Sequence, residues 1–408
     1  MNVAALGGAA LLMAGLAAGH ATQAKPEQRQ PPRVFLKVNP ADEATEDGFL
    51  HFYNMDYDAA TRDFEESLRK HPANPFCVNH LLEAVLFHEL HREGKLDAQL
   101  YLSNEFVHMP KVAPDPKAMA RVAELMQRAR SLEQEQLAEN PNDVEALYAQ
   151  SVTRGLRAAE EALVGKDWFA ALRSGLAAYD DSKRVLALDP NYSDAKLIVG
   201  IYNYIVGSLP WLVKAAMLLV TIHGSRSKGL ALMREALAGG GEASIDARTT
   251  LALFLAREHH YGQALELIGW LYANFPHNFL YGLSEADLLR GAGKTREAIG
   301  VDRQLIADGQ QGLFPYDRPG LAAMNLGDTL RSQQDWRGAA GAYHEVEKLP
   351  NSTPDLVAEA RLDAGEMYDR AGDRAQAVKC YRQVIAESGD KGLASEAKKW
   401  LKRPYGGN

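Results

Sequence analysis

A small residue followed four positions later by a large one recurs along this chain, and no other feature constrains its fold so tightly. The pairs are Ala60/Phe64, Ala264/Ile268, Ala339/Tyr343 and Ala377/Tyr381. Ala298 keeps the small position, but Asp302 stands where its large partner belongs. Twelve residues before each small residue stands another: Gly48, Ala252, Ala286, Gly327 and Gly365. An aromatic precedes three of the five by three residues, at Tyr57, Tyr261 and Trp336, and a proline follows three of them at Pro72, Pro276 and Pro350.

Two antiparallel helices approach closely only where side chains are small, and a bulky residue one turn on fills the gap between neighbouring hairpins. Proline cannot continue a helix, so it ends the hairpin. From Ala264 the small residues are 34, 41 and 38 positions apart, against a tetratricopeptide period of 34. The excess in the second interval falls at Gly312-Leu313-Phe314-Pro315. The pattern over 241–390 and 42–75 therefore resembles the tetratricopeptide repeat. Residues 76–140 and 142–238 read as two longer hairpins, closed by Asn140-Pro141-Asn142-Asp143 and Asp189-Pro190-Asn191. Alternating strand patterns are missing throughout. The expectation is an all-α, right-handed α-solenoid over 41–403 of about seven hairpins, with a tail at 404–408.

Residues 1–24 carry an apolar run, Val3 to Ala18, followed by Gly19-His20-Ala21 and Thr22-Gln23-Ala24. That order matches a secretory signal peptide, although no Lys or Arg precedes the apolar run. An uncleaved anchor is the alternative, on a run short for a span. Residues 25–40 read as a linker. The expected location is outside the cytoplasm, in the periplasm or at an outer membrane.

One segment points to a narrower relative. Gly200-Ile-Tyr-Asn-Tyr-Ile-Val-Gly-Ser-Leu-Pro210-Trp211 leads through an apolar run to His223-Gly224-Ser225-Arg226-Ser227-Lys228-Gly229-Leu230. Residues 200–230 resemble a eukaryotic family of tetratricopeptide outer-membrane proteins typed by a yeast inclusion-body-clearance protein. The resemblance implies scaffolding and a link to membranes or lipid bodies, with no catalytic residues. Ile201 to Ile222 is the most apolar stretch after the N-terminus, but Pro210 and Lys214 interrupt it. It reads as a buried helix pair, or else as a membrane- or lipid-docking face with Trp211 at the interface.

Chemistry-bearing motifs are few. Gly291-Ala292-Gly293-Lys294-Thr295 imitates the end of a phosphate loop, but Leu288 replaces the first glycine and a helix precedes it. It reads as an inter-helix turn. His88-Glu89-Leu90-His91, with His80 and His108 nearby, misses the zinc-protease spacing by one residue, leaving a metal-dependent hydrolase as a remote alternative. No nucleophile elbow occurs, and no pair of carboxylates stands in a context that suggests a raised pKa. Cys77 and Cys380 are too few for a disulfide framework. The net charge is −8 and no basic block is present, so nucleic acid is not an expected partner.

The expected activity is therefore binding: a non-catalytic scaffold, without cofactor, that takes a protein or peptide in its concave groove. The residue after each small first-helix residue is acidic at Asp287, Asp328 and Glu366, and Arg290 and Arg331 follow two of them by one turn. These five residues are the expected groove, flanked by Leu283, Met324 and Leu362. The alternative is ion pairing on a solvated face. The spacing gives no oligomeric state.

Overall fold

The computed structural model describes residues 37–98, 113–208 and 224–406. Residues 1–24, most of the 25–40 linker, His108, Pro210, Trp211, Lys214 and His223 lie outside the described residues. The described chain is all-α, an α-solenoid of antiparallel helical hairpins, and its one β-type pairing is a parallel bridge between Lys37 and Gly241. It divides into two compact units, Met1–Leu280 and Tyr281–Asn408.

The first unit holds α1 (Glu43–Tyr53), α2 (Tyr57–Lys70), α3 (Pro75–Arg92), α4 (Pro116–Glu139), α5 (Val144–Ala159), α6 (Trp168–Leu188), α7 (Ala195–Ser208), α8 (Arg226–Gly239), α9 (Ser244–Arg257) and α10 (Tyr261–Asn274). The second begins within α11 (Phe279–Gly291) and continues through α12 (Thr295–Gln310), α13 (Gly320–Ser332), α14 (Trp336–Glu345), α15 (Pro354–Arg370), α16 (Arg374–Glu387) and α17 (Lys391–Lys402). The stretch 142–238, expected as one long hairpin, forms two, α5/α6 and α7/α8.

Local chemistry sets the helix starts. Asp42, Asp56, Asp143, Asp167, Asp335 and Asp373 each accept a backbone N–H of the helix they open, satisfying a donor that has no intrahelical partner. Gly293, at φ +74°, turns α11 into α12, a conformation that favours glycine. The phosphate-loop imitation is this turn, and its Lys294 pairs with Glu297 at 3.3 Å.

The repeat spacing is a packing rule made visible. A β-carbon on Gly48 would stand 2.5 Å from the Phe64 ring, and one on Gly365 would stand 2.6 Å from Tyr381. Gly327 meets Tyr343 in the same way. Each aromatic lies flat where the facing helix has no side chain, and all three rings are at most 1% exposed.

Glycine also explains the segment at 200–230. A β-carbon on Gly229 would lie 2.6 Å from the Gly200 carbonyl and from the Tyr204 amide. Backbone touches backbone there, joining α7 to α8, and Gly207 and Gly224 bring the same two helix ends together. The described part of the apolar run, Ile201 to Ser208, belongs to the core: Ile201, Tyr204, Ile205 and Val206 are buried. Among the described residues no helix is long and apolar enough to cross a membrane.

Unit one closes on itself. Its first hairpin meets its last: the Asn278 side-chain amide donates to the Tyr53 carbonyl at 2.8 Å, and the His277 N–H donates to Asn54 at 3.2 Å. The Tyr53 and Phe275 rings stand 5.3 Å apart. An open array of repeats touches only its neighbours. Here the wall is closed, and the first helices α1, α3, α5, α7 and α9 face one interior.

Candidate functional site

The expected groove in unit two is largely spent on internal pairing. Arg290 pairs with Asp287 one turn back and reaches Asp302 at 3.0 Å on the next helix. Asp287 also accepts from Asn325 at 3.3 Å. Asp302, the residue that broke the repeat, is fully buried, and burial lifts its carboxyl to about 7. Arg290 thus ties together the two helices of its own hairpin and reaches Thr329 of α13 at 3.4 Å. Asp328 is exposed but accepts the Tyr343 hydroxyl at 2.6 Å. Arg331 stands 3.8 Å from Asp363 and 4.0 Å from buried Glu366, and it donates to the Tyr405 hydroxyl at 3.2 Å. The supposed apolar flanks Leu283 and Leu362 are core residues, and Met324 is half-buried. These five residues are engaged in ion pairs and hydrogen bonds within and between hairpins.

The histidine cluster separates. His88 stacks on Tyr57 with ring centroids 5.5 Å apart, and His91 leans on the same ring. Glu89 is bound by Arg92 at 2.6 Å and by the Asp115 N–H at 2.8 Å. Among the described residues no three His, Cys, Asp or Glu side chains converge to hold a metal ion.

A different site emerges inside unit one. Phe49 of α1, Glu83 and Phe87 of α3, Tyr148 and Val152 of α5, Leu197, Ile198 and Ile201 of α7, and Asp246 and Thr250 of α9 line a recess of about 90 Å³, with Glu242 at the start of α9. No lysine or arginine lines it.

The carboxylates are positioned by a hydroxyl, an imidazole and backbone N–H groups. Tyr53 donates to Asp246 at 3.2 Å. His80, buried between the Phe49 and Phe64 rings, pairs through Nε2 with Glu242, while its Nδ1 has no partner. Glu242 accepts the Asn39 N–H at 3.1 Å, so the extended segment that pairs Lys37 with Gly241 crosses this wall. Asp194, just before α7, accepts the Glu242 N–H at 3.1 Å.

Glu83 has no hydrogen-bond or ion-pair partner among the described residues. It is half-buried and lines the recess. Burial, then the charges of Asp246 and Glu242, push its carboxyl well above the usual range. Burial lifts Asp246 to about 7, with Glu242 and Asp194 adding to the rise against the Tyr53 hydrogen bond. Asp194 is lifted to about 6 by burial and Glu242. The expectation that no carboxylates share a pKa-raising context is therefore corrected. Glu83 and Asp246 are far apart in sequence, and only closure of the ring brings them together. One sign was legible: Glu83 is a carboxylate among Val78, Leu81, Leu82, Val85 and Leu86 on one helix.

No curated protein matches the sequence. Among solved structures, yeast Tom70 is 13% identical, covering 88% of this chain and 87% of that one, with a TM-score of 0.37. A tetratricopeptide repeat protein from Parabacteroides merdae is 15% identical, covering 78% of this chain and 97% of that one, with a TM-score of 0.32. Human IFIT1, solved as a dimer with m7Gppp-AAAA, is 13% identical, covering 90% of this chain and 82% of that one, with a TM-score of 0.40. The tetratricopeptide repeat family matches residues 361–395, so the hairpin of α15 and α16 is a repeat of that type.

Proposed function

We propose that this chain is a non-catalytic interaction scaffold that holds a protein or peptide partner against the inner wall of unit one. The observation that carries the reading is a recess framed by five first helices, with carboxylates and no lysine or arginine in its lining. A buried carboxylate without a counter-ion is costly, and no lysine or arginine lines this recess. The cost is repaid when a partner brings one. A nucleic acid partner is disfavoured by the same charges. We place the protein in the cell envelope on the strength of the apolar run at Val3 to Ala18.

Thr250→Arg puts a cation and bulk into the recess from the middle of α9, where Thr250 is buried, so its helicity and melting are compared with wild type alongside capture. Partners captured by the full-length wild type from native envelope extract are expected to be lost with Thr250→Arg. Identical capture by both proteins rejects the inner wall as the binding surface. Recovery of the protein only in the cytoplasmic fraction rejects the envelope placement.

A further inference from the structure

Unit two carries a second surface, and the chain already shows what fits it. We infer that the inner face of α13 and α15 is a docking site for an extended segment bearing a tyrosine followed by a glycine, and that residues 404–406 of this chain occupy it in cis as a displaceable stand-in. The inference is independent of the recess in unit one.

The contacts are those of peptide recognition. Arg331 and Glu366, two of the five residues that the repeat spacing placed in the groove, both meet the Tyr405 hydroxyl. Arg331 donates to it at 3.2 Å, and it donates to Glu366. Both capacities of the hydroxyl are used, each toward a charged group, and a phenylalanine would offer neither. The Tyr405 N–H donates to Asp369 at 2.8 Å, which fixes the backbone. The ring stands edge-on to Trp400 with centroids 5.0 Å apart. Gly406 has φ +69°, and a β-carbon there would stand 2.8 Å from the Arg370 guanidinium. The position after the tyrosine therefore favours glycine.

The segment can leave without α17. Arg374 donates to the Trp400 and Leu401 carbonyls at 2.8 Å, and Leu393, Ala397, Trp400 and Leu401 pack against the core of α15 and α16. Those contacts hold α17 whether or not Tyr405 is seated. Asp369 keeps Arg374 and the Tyr381 hydroxyl, and Arg331 keeps Asp363 and Glu366, so release strands no charge. Pro404 and Gly406 are exposed and Tyr405 is half-buried, so a competing segment reaches the site from solvent. A segment tethered this closely acts at a roughly millimolar effective concentration. The site is thus self-blocked until a stronger ligand of the same kind displaces it.

Full-length protein is titrated, by fluorescence anisotropy, with a labelled, capped peptide of the sequence of residues 402–406. Peptides carrying Tyr405→Phe or Gly406→Val are titrated beside it. Full-length Tyr405→Ala, and a second variant ending at Arg403, are each expected to bind the parent peptide at least about tenfold tighter than wild type does. Each altered peptide is expected to bind them at least about tenfold more weakly than the parent. Both variants are expected to keep the helicity of wild type, because α17 has its own anchors. Equal binding by wild type and the variants, absence of binding by all three included, overturns the inference. So does an altered peptide that binds as well as the parent, or loss of helicity in the variants, which would make the segment part of the fold. Wild-type dimers that Tyr405→Ala abolishes would put the segment in a second copy's groove and overturn the assignment in cis.

Discussion

Glu83 and Asp246 make the fold pay an electrostatic penalty that depends on pH. The folded pKa of Asp246 is raised to about 7 from 3.8. The folded protein therefore holds that proton more tightly than the unfolded chain does. The stabilisation is complete below about pH 4 and is lost as pH rises through about 7. Asp246→Asn, which still accepts from Tyr53, removes the loss. It is expected to raise stability by on the order of 1–3 kcal/mol at about pH 8 and to change little near pH 4. Paired denaturant titrations at the two values test this. Equal shifts at both would mean that Asp246 titrates as a solvent-exposed acid.

Single glycines carry a second prediction at this scale. Gly365→Ala drives a β-carbon toward the Tyr381 ring, whose far edge can shift slightly. An overpacking cost of about 1–3 kcal/mol is expected. Gly229→Ala meets backbone on both sides and has nothing soft to displace, so its cost should exceed that of Gly365→Ala. Thermal melts of the two variants rank them, and the reverse order would contradict the backbone contact between α7 and α8.

Helix pairs were the legible part of the sequence, because their signal is local. Ala60, Phe64 and Gly48 lie within one hairpin, and a twelve-residue spacing is enough to see the ring lie against the glycine. The middle was less legible: α7 and α8 use glycine–glycine contact, and α5 and α6 pair small residues such as Ser151 and Ser182, in place of the aromatic plug, so 142–238 read as one hairpin. Asp302 looked like a failed repeat position and is instead an anchor for Arg290. Breaking one side of such a pair leaves an uncompensated buried charge, whereas replacing both by apolar residues is often neutral or better. Arg290→Met is therefore expected to cost about 3–5 kcal/mol. Adding Asp302→Leu, which restores the large apolar residue the other repeats carry, should recover most of it. A double variant no more stable than Arg290→Met would show that the pair does not act as one unit.

At the scale of unit one, the recess exists only because the first hairpin returns to the last. No local spacing announces that closure. Tyr53 sits in α1 as an ordinary aromatic, and Phe275 and Asn278 sit in the turn after α10. Their contact brings Glu83 opposite Asp246 across well over a hundred residues. The acidic stripe at Asp287, Asp328 and Glu366 was visible because its period matched the repeat, whereas the recess follows no period. Glu83 and Asp246 line the recess that lies where distant repeats meet. Phe275 is fully buried, with its ring 5.3 Å from Tyr53. Phe275→Ala is expected to cost about 3–5 kcal/mol and to loosen α1 from α9, so that the amides of Glu43–Tyr53 exchange faster with solvent than in wild type. Asp246 then loses its Tyr53 donor and its enclosure, and its carboxyl should fall back toward the ordinary range as water enters. Hydrogen exchange reports the first effect and carboxyl titration by nuclear magnetic resonance the second. If α1 exchanged faster while Asp246 still titrated near 7, the raised acidity would be a property of α9 and its immediate neighbours, and closure of the ring would not be what builds the site.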